Sequence, residues 1–398
     1  MAGKRESVEA RGLRDDEAHL YTDMINERRH TPIEYYRAFY DNLGEGDWNN
    51  SRAVLVDGQI ASHVRNYDRV VRWGSGTMHC GGMGDVGTHD DHRRKGYGLL
   101  LLNDAIEQYE GWGCGLSMIL SGVFEFYRAG GWERFPTYSY SVDVRPDWVK
   151  ASDDYRVRRF NRFQDLDRVA EIYDAYNRNS PLTLVRDNEY WRQHFSWTRR
   201  CVEHAFYVAE IDGDVVAYMR GDGVNVAETG YLDGHYDAAV TLLEAEMRLA
   251  RSRSAREMTI QLPPQEPMVD MLKDLRTSTR LGETTLLRIV NLKRLLDGLV
   301  PDFETRLKEC DHPTSPSGSL GFDSGGYQAT ATVDGGSVTV VDGLAAGAEV
   351  IVLKQRQMFG LMAGSGEPVS LAVSKQARDL VDVLFPQRNP TWWPIDTV

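Results

Sequence analysis

The chain has 398 residues, 41% hydrophobic, 26% charged and 10% aromatic; this balance suits a soluble globular protein and excludes a disordered one, and the length predicts two or three domains. Its 59 acidic against 46 basic residues leave a formal charge of -13, which argues against a general nucleic-acid surface and is compatible with a cationic substrate. No apolar run approaches the roughly 20 residues of a membrane span, and Met1 to Ala10 lacks the apolar core of a signal peptide, so a cytoplasmic protein with no membrane partner is expected.

Along the chain, Val8 to Tyr40 reads as helical, with Leu20, Met24 and Ile25 among polar neighbours. Ala53 to Val64 is a hairpin signal, two β-rich runs flanking Asp57-Gly58. A strand carrying Met78 leads into Gly84-Asp85-Val86-Gly87-Thr88. Next comes Arg93-Arg94-Lys95-Gly96-Tyr97-Gly98, and then a helix whose apolar residues Leu99, Leu102, Ala105, Ile106 and Tyr109 recur at about 3.6 residues and stop before Gly111-Trp112-Gly113. Leu116 to Leu120 is a second strand, Phe124 to Tyr127 begins a short helix that ends at Gly130-Gly131, and Tyr138 to Val144 alternates like a strand that closes the unit.

The following segment repeats this plan. Tyr155 to Phe160 is strand-like, Asp165 to Asn177 is helical, and Phe206 to Met219 is a second hairpin with its own Asp-Gly turn. Where the first unit has its basic glycine loop, the second offers Thr229 to Asp237, which is acidic and lacks the arginines. Ala238 to Ser252 is then its helix, Met258 to Leu262 a strand, and Leu286 to Leu292 the strand that closes the copy. A third hairpin spans Tyr327 to Val341, helices follow at Lys354 to Ala363 and Ser374 to Leu384, and the apolar tail from Phe385 to Val398 is expected to be docked.

Three basic side chains and two glycines before an amphipathic helix suit an anion. Glycine takes positive φ and lets a ligand approach the backbone, while the helix start contributes N–H groups and the positive end of its dipole. His89 and His92 stand close together, but no further ligand follows at metal spacing, so they read as a polar loop and no metal is expected. Cys80, Cys114, Cys201 and Cys310 are far apart and read as free thiols.

The Arg93 to Gly98 loop and the Phe126-Tyr127-Arg128-Ala129-Gly130-Gly131-Trp132 segment together resemble the two linked acetyl-CoA motifs of the GCN5-related N-acetyltransferases. Tandem units, the second degenerate, with a third sheet-and-helix region, resemble the enhanced intracellular survival type within that superfamily. The resemblance implies an α/β (α+β) fold of two GNAT-like mixed-sheet domains at 1–152 and 153–292 and a sterol-carrier-like domain at 293–398. It implies acetyl transfer from acetyl-CoA to a primary amine of a small or peptide substrate. Val86, Gly87 and Thr88 would then pair with the pantetheine arm, Arg93, Arg94, Lys95, Gly96, Tyr97 and Gly98 would hold the pyrophosphate, Tyr127 would protonate the leaving sulfur, and the carboxylate of Val398 would act as base. A homo-oligomer, hexameric as in the family, is also implied. Glu125 and Asp396 are weaker candidates for attracting an amine. The alternative is a non-catalytic sensor or carrier that binds acyl-CoA or lipid.

Overall fold

A computed structural model of the chain describes residues 7–28, 43, 46–145, 148, 151–197, 205–310, 316–363, 372–388 and 390–396. The elements in order are β1 (Val8–Gly12), α1 (Ala18–Arg28), β2 (Ser51–Val56), β3 (Gln59–Trp73), β4 (Gly76–Thr88), α2 (Tyr97–Gly111), β5 (Leu116–Leu120), α3 (Phe124–Ala129), β6 (Glu133–Arg134) and β7 (Thr137–Asp143). There follow β8 (Arg156–Arg159), α4 (Arg162–Tyr176), α5 (Asn188–Trp197), β9 (Phe206–Ile211), β10 (Asp214–Gly221), β11 (Asn225–Tyr231), α6 (Tyr236–Ser252), β12 (Glu257–Ile260), α7 (Pro267–Met271), β13 (Arg276–Gly282) and β14 (Thr285–Ile289). The last region holds α8 (Leu292–Glu309), β15 (Gly318–Ser324), β16 (Tyr327–Asp334), β17 (Ser337–Asp342), β18 (Glu349–Leu353), α9 (Gln355–Ala363) and α10 (Lys375–Leu384).

Two seven-stranded sheets, ordered β1-β2-β3-β4-β5-β14-β6 and β13-β7-β12-β11-β10-β9-β8, are followed by a four-stranded sheet ordered β17-β16-β15-β18. Each large sheet is antiparallel except for one parallel pair, β4 with β5 and β11 with β12. The expected mixed α/β fold is therefore present.

Which sheet each closing strand joins differs from expectation. Tyr138 to Val144 forms β7 but pairs with β12 and β13 of the second sheet, while the Leu286 strand becomes β14 and inserts between β5 and β6 of the first. Alternation along a strand fixes which side chains share a face and says nothing about which neighbour supplies the hydrogen bonds. Residues Val8 to Gly12 also depart from the helical reading, because they pair antiparallel with β2, and the helix begins only at Ala18.

The first sheet buries both faces. On one, α2 contributes Leu101, Leu102, Ala105, Ile106 and Tyr109 to a core with Val54, Val64, Met83 and Ile119, each buried leucine supplying roughly 1.5–3 kcal/mol of hydrophobic stabilisation. Leu99, expected on that face, is 44% exposed, because it falls in the first turn off the buried stripe. On the other face lies α8, whose Leu292, Leu295, Leu296, Leu299, Phe303 and Leu307 bridge to the small sheet in one continuous core. That approach is close enough to exclude side chains: a Cβ at Gly298 would stand 2.6 Å from the Met78 Cβ, and one at Gly76 only 2.1 Å from the Gly298 carbonyl oxygen. This long helix begins where the Asn291 side chain accepts a hydrogen bond from the Arg294 N–H at 2.9 Å.

The described part of the tail is docked, with Trp392, Trp393 and Ile395 at most 2% exposed. Cys80, Cys114 and Cys310 are free thiols, and Cys201 lies outside the described residues. Among the described residues no helix is long and apolar enough to cross a membrane.

Candidate active site

β4 and β5 run parallel from Cys80↔Leu116 to Met83↔Ile119, and there their pairing ends. Beyond Met83, β4 continues to Thr88 held by β3 alone, with a bulge between the Arg65↔Gly84 and His63↔Gly87 pairs. Within that bulge Asp85 has φ 57, a left-handed conformation that turns the strand away from regular pleating. The two strands therefore part at Gly84, and Val86, Gly87 and Thr88 lie beyond the point where they separate. Ser62 on β3 steadies this end, its Oγ donating to the Gly87 carbonyl at 2.9 Å and lying 2.9 Å from the Thr88 hydroxyl.

From Thr88 the chain makes a short 3-10 turn at Asp90–His92 before the basic loop. Arg94 has φ 62 and Gly96 φ 84, so left-handed residues flank Lys95 and turn the loop sharply on either side of it. Helix α2 begins at Tyr97 with no side chain capping its first N–H groups. Arg93, Arg94 and Lys95 are exposed, with Arg93 2.8 Å from Asp90. Gly98 sits where a Cβ would be 2.9 Å from the Phe126 ring and 3.9 Å from the Thr88 Oγ1, so strand end, helix start and α3 meet there.

Tyr127 lies in α3, is 6% exposed, and packs edge-on against Phe126 with ring centroids 4.9 Å apart. Val86, Tyr97 and Phe126 pack on the same cluster as Tyr127, so the motifs read separately from the sequence converge. Arg288 of β14, a strand that arrives from the second unit, donates to the Gly130 carbonyl just after α3 and lies over the Trp132 ring. The exchanged strand thus supports the helix that carries Tyr127.

His89 and His92 lie 5.6 Å apart between ring centroids in the expected polar loop, and among the described residues no group of three or more potential metal ligands comes together. Glu125 is exposed and 3.7 Å from Arg128. Asp396 is 2% exposed and ion-paired with Arg186 at 2.9 Å, so it does not face an incoming amine as expected: the partner that buries it comes from 210 positions earlier in the chain. Val398 lies outside the described residues.

Sequence reading missed Asp85. Its carboxylate accepts from the Tyr21 hydroxyl of α1, and burial pushes it up to about 7. The Tyr21 ring stands edge-on to His63 at 5.1 Å. The available signal was a carboxylate inside a strand end of otherwise small and apolar residues.

A cavity of about 340 Å³ opens beside the end of β5, lined among others by Leu120, Ser121, Gly122, Tyr138, Trp392 and Pro394. It joins the loop that precedes α3 to the C-terminal tail.

A sequence model of the acetyltransferase (GNAT) domain family matches residues 11–135. No curated protein matches the chain in sequence. Among solved structures, a GCN5-related N-acetyltransferase from Kribbella flavida is similar at 16% identity and a TM-score of 0.73 over 99% of both chains. A probable N-acyltransferase from Enterococcus faecalis V583 is similar at 15% identity and 0.75, over 99% of this chain and 100% of that one. Eis1 from Mycobacterium abscessus is similar at 14% identity and 0.64, over 98% and 100%. At such identities the likeness is one of fold, and it runs the length of the chain, third region included. Residues 11–135 thus form an acetyltransferase (GNAT) domain at the start of the chain, and the whole chain shares its fold with these acetyltransferase structures, Eis1 among them.

Proposed function

We propose that the chain transfers an acetyl group from acetyl-CoA to a primary amine of a small or peptide substrate in a ternary complex. The observation that carries this reading is the parting of β4 from β5 at Gly84, directly before the basic loop and beside Tyr127. Val86, Gly87 and Thr88 bind the pantetheine arm there, and Arg93, Arg94, Lys95, Gly96, Tyr97 and Gly98 hold the pyrophosphate through backbone N–H groups and cationic side chains. The amine nitrogen forms a bond to the thioester carbon as the carbon–sulfur bond breaks. Tyr127 gives its proton to the departing sulfur, and the carboxylate that ends the chain at Val398 takes the proton the amine loses. The cavity beside β5 receives the acceptor. The reading carries with it divisions at 152/153 and 292/293, a sterol-carrier-like third domain, a homo-oligomer of hexameric form and a cytoplasmic location.

A thiol-release assay with acetyl-CoA and a panel of polyamine, lysine-peptide and aminoglycoside amines tests it. Release with at least one class is expected. No release with any, together with uptake of acyl-CoA or lipid, would sink the enzyme in favour of a carrier.

A further inference from the structure

The tail is held by charges that are more deeply buried than docking alone requires. The side chains of Arg186, Glu228, Asp396 and Arg220 are all 0% exposed. The Arg186 Nε donates to Asp396 Oδ1 at 2.9 Å, and the Tyr190 hydroxyl donates to the same oxygen at 2.9 Å. The other end of the Arg186 fork grips Glu228, which also accepts from the Tyr218 hydroxyl at 2.9 Å and has Arg220 3.7 Å away. Two cations face two anions, and all but Asp396 belong to the second unit.

Around this lock the tail makes further contacts to that unit. Thr391 N–H donates to the Pro181 carbonyl at 2.9 Å, Gln261 donates to the Trp392 carbonyl at 3.2 Å, and Trp393 Nε1 donates to Asn177 at 3.0 Å. Trp393 and Ile395 join the core formed by Tyr173, Trp191, Tyr218 and Ala227. Apolar burial has no direction and would let the tail slide. A buried charge pair stabilises one register only, because any slip leaves each ion without its partner.

That register sets Trp392 and Pro394 in the wall of the cavity that is also lined by Ser121 and Gly122, which directly precede the helix bearing Tyr127. We infer that Asp396, gripped by Arg186 and Tyr190, is a positioning residue: it holds the tail as the acceptor wall, and the second unit serves the first as the tail's receptor. The inference deepens the proposed transfer reaction and rests on that reading for its kinetic consequence.

Asp396→Ala in the full chain is the test. kcat/KM for the amine falls about 10²-fold through a raised acceptor KM and a lowered kcat, while the Kd for acetyl-CoA stays within about twofold. Asp396→Asn, which keeps an acceptor for Tyr190, falls between the two, and it is the variant to measure if Asp396→Ala does not fold. Carboxypeptidase digestion reads the tail without any turnover: Trp392 and Trp393 are released faster from either variant than from the unaltered chain. Unchanged acceptor kinetics, equal loss of acetyl-CoA binding, or equal protection of the tail would overturn the inference. Absence of turnover in the unaltered chain sinks the transfer reading instead and leaves the digestion to decide the lock.

Discussion

The two large sheets share one plan and differ at one place. In each, a run of antiparallel strands meets a single parallel pair, the pair parts, and a helix follows. In the first, the segment from the strand end to the helix is the exposed basic loop with left-handed turns at Arg94 and Gly96. In the second, only Leu232 to His235 separate β11 from α6, and the space beyond β11 is filled. Tyr231 and Tyr176 both donate to the buried Glu266 at 2.7 and 2.6 Å, and Trp393 of the tail packs beside Tyr176 at 6.4 Å. α6 is buried over most of its length, whereas the first turn of α2 presents Leu99 and Leu100 to solvent. One frame thus has two different ends: in the first unit an exposed basic loop, where we propose that acetyl-CoA binds, and in the second a cluster of tyrosines on Glu266 beside Trp393 of the tail.

Breaking this contrast at the open cleft has the largest expected effect. Under the proposed mechanism, Tyr127→Phe removes the hydroxyl assigned to the leaving sulfur and lowers kcat on the order of 10²-fold with acetyl-CoA binding retained; single-turnover kinetics beside calorimetric binding measure the split. In the closed unit, burial beside Asp222 lifts the Glu246 carboxyl of α6 from 4.5 to about 8. The stability linked to its bound proton is complete below about pH 4.5 and is lost as pH rises through 8. Glu246→Gln therefore flattens the fall and stabilises the chain by about 4 kcal/mol at pH 9 relative to pH 5, as urea unfolding at the two pH values would register.

Smaller effects separate the two helix entrances. Gly98→Val drives a side chain into Phe126 and weakens acetyl-CoA binding about tenfold, read by calorimetry. His235→Ala, at the equivalent entrance of the second unit, leaves that affinity within about twofold. A comparable loss from both would mean that the second cleft also takes the ligand.

Much of this frame was legible in the sequence because its signals are local. Asp57-Gly58 and Asp212-Gly213 take the positive φ their hairpins need, and Leu116 to Leu120 is the strand its composition predicts. The loop from Arg93 to Gly98 was legible for the same reason, since its charges and its Gly96 turn are written in consecutive residues. Asp85 was not legible, because its elevated affinity for a proton comes from α1 and β3 packing around it. Asp396 read as a candidate for attracting an amine, because the Arg186 that pairs with it lies 210 positions away in the chain.

The sequence by itself determined most of the elements, the basic loop and the second unit's lack of one, since turn chemistry, periodicity and charge act between near neighbours. Only the tertiary structure decided that β7 and β14 change sheets, that Arg288 braces the helix of Tyr127, and that Trp393 and Asp396 of the tail dock on the second unit. Backbone pairing is the same chemistry for every strand, and burial and ion pairing depend on what arrives from elsewhere; the choice of partner is made by the packed whole.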